Sequence, residues 1–181
     1  MASNRGAAQG GLVPRNAALG YALPEIFLHP GQQYVAASPT LLKMILGSCA
    51  GVFLFDSQLA IGGATHYMLP KHGTGQASAR YGDVAIPDLL GRFRVLGSET
   101  RNLKAKIFGG GSMFSALREM PPSHIGRIGQ RNVDIAEVIL EEVSIAIVER
   151  NVLGTCGRMV AMVSDTGEIA LEFITQANGH R

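Results

Sequence analysis

Short apolar runs separated by glycine dominate the middle of the chain, and two stretches carry a helical period instead. "QQYVAAS" (32–38) has strand character, and "LLKMIL" (41–46) is an apolar run interrupted by Lys43. "AGVFLFD" (50–56) and "AIGGATHYML" (60–69) are β-rich and joined by a short polar stretch, which predicts a hairpin. After a loop at 71–82, Ile86, Leu89, Leu90 and Phe93 recur at one buried face, which predicts a helix from Asp83 to about Leu96. Asp83 is placed to cap it, and Pro87 sits near its start, where proline is tolerated. "LKAKIF" (103–108) reads as a strand ending in three glycines, and "SMFSALREM" (112–120) as a short helix. Ala136, Ile139, Leu140 and Val143 define a second clear helix over 132–143, followed by a strand at 144–150. "RMVAMVS" and "EIALEFIT" flank Asp165-Thr166-Gly167, a hairpin turn signal. The order predicts an α+β fold with at least one partly antiparallel sheet.

Residues 1–23 are rich in Gly, Ala, Asn and Ser without a period and read as a flexible tail. A single domain is expected over 24–176, with a second short tail at 177–181. Hydrophobic residues make up 46% of the chain, enough for a core without staples. The net charge of +2 is too mild to argue for a nucleic-acid partner, and the absence of Trp leaves few stacking platforms. No apolar run approaches the ~20 residues that cross a bilayer, so no membrane insertion is expected. Two cysteines make no disulfide framework and no secretory signal is recognisable, so a reducing, cytoplasmic setting is expected, where a thiol stays free.

That matters for Cys49 and His66, each set beside glycine. Either they are core filler or they are a nucleophile and its base. Centring the hairpin on Ser57-Gln58 puts Cys49 directly across from His66 on one face, with Cβ atoms ~4.5–5.5 Å apart. A one-residue slip would send them to opposite faces. The thiolate is the attacking form of cysteine, and an imidazole can take the thiol proton and later protonate a leaving group. Gly47 and Ser48 supply compact backbone whose N–H groups suit an oxyanion, and Gly62 and Gly63 leave room for a substrate chain. No Cys or His stands at ligand spacing to either residue, so neither a metal nor a cofactor is expected.

Other features favour structural roles. Gly109-Gly110-Gly111 lacks the Lys-Ser/Thr ending of a phosphate loop and reads as a turn needing positive φ. Arg131 and Asn132, just before the second predicted helix, read first as capping or loop-fixing residues, with contact to a partner helix as the second reading. Cys156 sits in a predicted turn with no base nearby in sequence, and His72, His124 and His180 fall in loops or the tail.

Seven segments in order resemble one family. They are "LHPGQ" (28–32), "LGSCAGVFLFD" (46–56), "GGATHYMLP" (62–70), "RYGDVAI" (80–86), "KIFGGGSMF" (106–114), "IGQRNV" (128–133) and "GRMVAMVSDTGE" (157–168). Together they resemble the bacterial chemoreceptor glutamine deamidases, the CheD family of chemotaxis proteins. The resemblance implies layered mixed β-sheets with flanking helices, similar to cysteine-hydrolase toxin deamidases. It implies that Cys49 attacks a receptor glutamine, with His66 as base and then acid. It also implies that Gly110, Gly111 and Phe114 line the substrate groove. The partners implied are methyl-accepting chemotaxis receptors and a chemotaxis phosphatase. One position departs from the family: Lys43 stands where members carry a Thr or Ser that orients the histidine. An ammonium only donates, so it cannot accept from an imidazole N–H. Ser48, Thr40 or a backbone carbonyl are the candidate replacements. The departure motivates the competing expectation of a weakly active or inactive binding module that regulates the phosphatase.

Overall fold

A computed structural model describes residues 22–112 and 127–174. Nine strands and two α-helices run in the order β1 (Glu25–Phe27), β2 (Gln32–Ala36), β3 (Leu41–Leu46), β4 (Ala50–Asp56), β5 (Ile61–Tyr67), α1 (Gly82–Val95), β6 (Leu103–Gly109), α2 (Ile128–Glu142), β7 (Ala146–Val152), β8 (Gly157–Val163), β9 (Ile169–Ile174). They form a four-stranded sheet ordered β1-β3-β8-β9 and a five-stranded sheet ordered β2-β5-β4-β6-β7. Both sheets are mixed. The β1–β3 and β6–β7 pairs are parallel and the rest antiparallel, with α2 making the crossover from β6 to β7.

Three layers follow from which side chains each strand buries. Val52, Leu54, Ala105 and Ile107 face Ile86, Leu89, Phe93, Ala136 and Leu140 of the helices. Phe53, Ala64 and Phe108, on the other face of the same sheet, meet Leu42, Met44, Leu46, Val160 and Met162 of the smaller sheet. Strand β4 is therefore covered on both sides, which is why its sequence reads as a continuous apolar run rather than an alternation. This is the layered α+β arrangement expected from the sequence.

The β4–β5 hairpin forms, but in a register two residues away from the expected one. Gly51, not Cys49, stands opposite His66. The cause lies at the turn. The Asp56 carboxylate accepts from the N–H groups of Gln58 (2.8 Å) and Leu59 (3.2 Å), and Ala60 adopts a φ of +53°. This side-chain-capped turn makes Ser57–Ala60 the loop and moves its centre one residue along. An even slip keeps every side chain on its face, so Cys49 and His66 still point to the same side.

Three other expectations change. Asp83 does not cap α1: its carboxylate accepts from the His72 N–H and ties down the preceding loop. Helix α2 begins at Ile128, a turn earlier than its apolar period shows, so Asn132 lies inside the helix. The glycine turn after β6 is as expected, with φ of +99° at Gly109 and +67° at Gly110. The short helix expected at 112–120 falls almost wholly outside the described residues.

Candidate active site

Residues Gly47, Ser48 and Cys49 carry the chain from β3 in one sheet to β4 in the other, so the loop sits at the boundary between layers. Its three carbonyls are all held from inside. Gly47 O accepts from the Gly111 N–H (2.7 Å), Ser48 O from Asn132 Nδ2 (2.9 Å), and Cys49 O from the Gly110 N–H (2.7 Å). Among the described residues, no backbone carbonyl accepts from any of the three N–H groups. With all three carbonyls tied down, the backbone around the Cys49 thiol is anchored from inside the fold.

His66 is buried, at 2% exposure, on the face of β5 that meets the smaller sheet. Its Nδ1 lies 3.0 Å from the Leu28 carbonyl. A carbonyl only accepts, so Nδ1 carries the proton and Nε2 is the bare, basic nitrogen. Nε2 is buried with no hydrogen-bond partner among the described residues. Cys49 is half-buried and packs against the inter-sheet cluster on this same face, diagonal to His66 across the ladder. Diagonal positions stand ~7–8 Å apart, within reach of long side chains. Gly51 lies between them and offers no side chain to intervene; a Cβ there would stand 2.6 Å from Met44 Sδ. No hydrogen bond joins the thiol to the imidazole in this resting arrangement. Such bonds are commonly loose before substrate binds.

Burial pushes the Cys49 thiol up from its ordinary range, against a smaller lowering by its own backbone N–H. Burial pushes the His66 imidazole down, opposed by the Leu28 carbonyl and reinforced by the nearby His29. Both shifts favour the neutral forms.

Of the candidates for orienting His66, a backbone carbonyl is the one in contact with its ring. Leu28, through its backbone carbonyl, holds the ring. Thr40 does not: its Oγ1 donates to Ser38 O at 2.9 Å and its N–H to Ser164 Oγ, far down β3. Ser48 is exposed and acts through its carbonyl. Lys43 extends to the opposite face of β3 from Leu42 and Met44 and pairs with Glu25 at 3.0 Å. The expected spacious glycines are not spacious. A Cβ on Gly62 would stand 2.4 Å from Ser164 O, and one on Gly63 2.8 Å from Phe93, so both serve close layer packing. Gly110 and Gly111 are buried beneath the Cys49 loop and grip it rather than line an open groove. Phe114 and His124 lie outside the described residues.

The sequence reading undervalued two residues. Asn132 is fully buried and its Nδ2 donates both to Ser48 O and to Met68 O (2.8 Å). Arg158, also buried, donates to Asn151 Oδ1 (2.6 Å) and to the Leu153 carbonyl, and stacks 5.7 Å over Phe173. It braces the 153–156 loop whose Gly154 carbonyl receives the Ser112 N–H, next to the glycine strap. An Asn read as a helix start and an Arg alternating in an apolar strand were the available signals. Among the described residues no group of three or more His, Cys, Asp or Glu is arranged to hold a metal, and no helix is long and apolar enough to cross a membrane.

An α-on-sheet-on-sheet domain with a thiol and an oriented imidazole at one layer boundary is thus the class that the fold and site define. Comparison with known sequences is more specific. The sequence model described as "CheD chemotactic sensory transduction" matches residues 68–173, downstream of both Cys49 and His66. A Sulfurimonas denitrificans protein named "Probable chemoreceptor glutamine deamidase CheD" is 36% identical over 151 residues, covering 82% of this chain and 93% of that one. An Anaeromyxobacter dehalogenans protein named "Probable chemoreceptor glutamine deamidase CheD 1" is 38% identical, covering 79% and 81%. A Halalkalibacterium halodurans protein named "Chemoreceptor glutamine deamidase CheD" is 36% identical, covering 72% and 82%. Among solved structures, a Neisseria meningitidis protein of the DUF152 family is loosely similar, with a TM-score of 0.38 and 10% identity over 74% of this chain and 63% of that one. The chain belongs to the CheD chemotactic sensory transduction family.

Proposed function

We propose that this protein deamidates glutamine side chains of methyl-accepting chemoreceptors, with Cys49 as nucleophile and His66 as general base and acid. The names of its relatives supply the substrate class. The observation that carries the mechanism is the bare, buried Nε2 of His66, fixed by Leu28 O on the face that Cys49 shares. In the first half-reaction Nε2 takes the thiol proton and Sγ bonds to the carboxamide carbon. The developing oxyanion is received by backbone N–H groups of the Gly47–Cys49 loop. Collapse expels ammonia, which leaves with the proton held on Nε2, and a thioester remains. Water, activated by the same nitrogen, then hydrolyses the thioester to glutamate and returns the thiol. The net change is amide plus water to acid plus ammonia, and no cofactor enters the balance.

A cytoplasmic setting fits both the proposed receptor substrate and a thiol that stays free. The competing reading, an inactive module regulating a chemotaxis phosphatase, was motivated by Lys43. That motive weakens when Lys43 faces Glu25 and a backbone carbonyl orients the histidine. The test is intact-mass analysis of a chemoreceptor cytoplasmic fragment after incubation. Each replacement of NH₂ by OH adds about one mass unit, the acyl-transfer outcome of a thiol nucleophile. Cys49→Ala is expected to abolish the gain. Full activity in that variant overturns the assignment.

A further inference from the structure

The β4–β5 ladder ends at Ala50 opposite Tyr67. Beyond it the Cys49 carbonyl is turned to the other side of the strand, where the Gly110 N–H donates to it. The Asn132 carboxamide joins the two strand ends instead. Its Nδ2 donates to Ser48 O at 2.9 Å and to Met68 O at 2.8 Å, linking the residue before Cys49 to the residue two beyond His66. Both partners are carbonyls that only accept, which fixes the orientation of the amide. The turn of α2 that delivers it is anchored twice. The Tyr67 hydroxyl donates to Asn132 O at 2.5 Å. Gly129 lies so close to Gly110 that a Cβ on it would stand 2.3 Å from Gly110 O.

We propose that Asn132 is a positioning residue: its side chain bridges the two strands beyond their last ladder rung, setting the Cys49 loop against the His66 strand. This rests on the Cys49–His66 reading above. A bridge made by one side chain to two carbonyls takes up no N–H of the loop. Ser48 and Met68 are both exposed residues at the ends of their strands, where water can reach once the bridge is removed.

The experiment compares wild type, Asn132→Ala, Asn132→Ser and His66→Ala. It reads kcat and KM on a chemoreceptor cytoplasmic fragment. It also reads the pH dependence of Cys49 alkylation by iodoacetamide, by peptide mass, with Cys156 as internal reference. Misplacement of a reacting group by ~1 Å costs on the order of 10²-fold, so Asn132→Ala is expected to lose about that much kcat with KM nearly unchanged. Its Cys49 alkylation profile moves toward that of His66→Ala, while Cys156 is unaltered. Asn132→Ser keeps one donor and falls between. Wild-type kcat and an unchanged Cys49 profile in folded Asn132→Ala overturn the proposal, as does a rise in KM alone. If Asn132→Ala does not fold, wild-type kcat in Asn132→Ser overturns it equally. A His66→Ala protein whose Cys49 profile matches wild type overturns the Cys49–His66 reading instead, so the two failures are distinct.

Discussion

The Leu28 carbonyl fixes His66 through Nδ1 at 3.0 Å, and so leaves Nε2 as the bare ring nitrogen. A neutral acceptor orients the ring without the charge of a carboxylate. It therefore lends an imidazolium less support than a carboxylate would, and burial dominates the balance.

The acid limb of kcat/KM is expected to have its midpoint below the ordinary histidine value of 6.5, because His66 must be neutral to accept the thiol proton. His29 reinforces the lowering, so His29→Gln moves the midpoint back up. Stability carries the same sign. The unfolded chain protonates its histidine first as pH falls, so His66 contributes no loss above 6.5 and a growing loss below it. The loss levels off once the folded imidazole also protonates. A pH–rate profile with its acid midpoint above 6.5 contradicts this account.

Lys43→Thr is expected to leave turnover within about twofold of wild type, because the substitution touches neither Cys49 nor His66 and loses only a partly exposed ion pair with Glu25. Such pairs contribute ~0–1 kcal/mol, so the melting temperature shifts by no more than a few degrees. A large gain in turnover would mean that the lysine suppresses the site by a route its contact with Glu25 does not reveal.

How much of this could be read from residues alone depends on what kind of interaction set each feature. Periodicity marked the buried faces of α1 and α2 because Ile86, Leu89, Ala136 and Leu140 obey a local geometric rule. The hairpin and the shared face of Cys49 and His66 were legible for the same reason. The register was not, because it hinges on the Asp56 carboxylate capturing two N–H groups in the turn. The orienting group for His66 was hidden further still. A backbone carbonyl has no residue identity, so no pattern of side chains marks Leu28 out. Gly62 and Gly63 show the opposite trap: glycine signals close approach, but only the packed layers tell whether a substrate or Ser164 and Phe93 approach it.

Cys49 and Cys156 are expected to differ in alkylation. Burial raises the Cys49 thiol and so slows its reaction at neutral pH in the absence of a base. With His66 present, its rate follows the imidazole's protonation, and in His66→Ala that dependence disappears. Cys156 keeps one profile in both proteins. Peptide-resolved mass spectrometry across pH 5–9 reads both cysteines in one sample, and a Cys49 rate indifferent to His66 would leave the imidazole without a role.

Gly129→Ala separates two opposed effects at one residue. In a free helix the change is favourable by ~1 kcal/mol, because glycine carries the larger backbone entropy cost. Here the added Cβ would stand 2.3 Å from the Gly110 carbonyl oxygen and 2.7 Å from its carbon, both backbone atoms that cannot rotate aside. Either α2 or the glycine strap must move by several tenths of an ångström. Overpacking of this kind costs ~1–3 kcal/mol, which outweighs the propensity gain, so the variant is expected to be less stable than wild type in urea. The activity loss should exceed what stability explains. The strap that moves donates Gly110 N–H to Cys49 O and Gly111 N–H to Gly47 O, and the helix that moves carries Asn132. Gly91→Ala, on the other helix and with open space around its Cβ position, is the matched control and should be neutral or mildly stabilising with full activity. If Gly129→Ala behaves like Gly91→Ala, then close approach of α2 to the strap is not what seats the Cys49 loop.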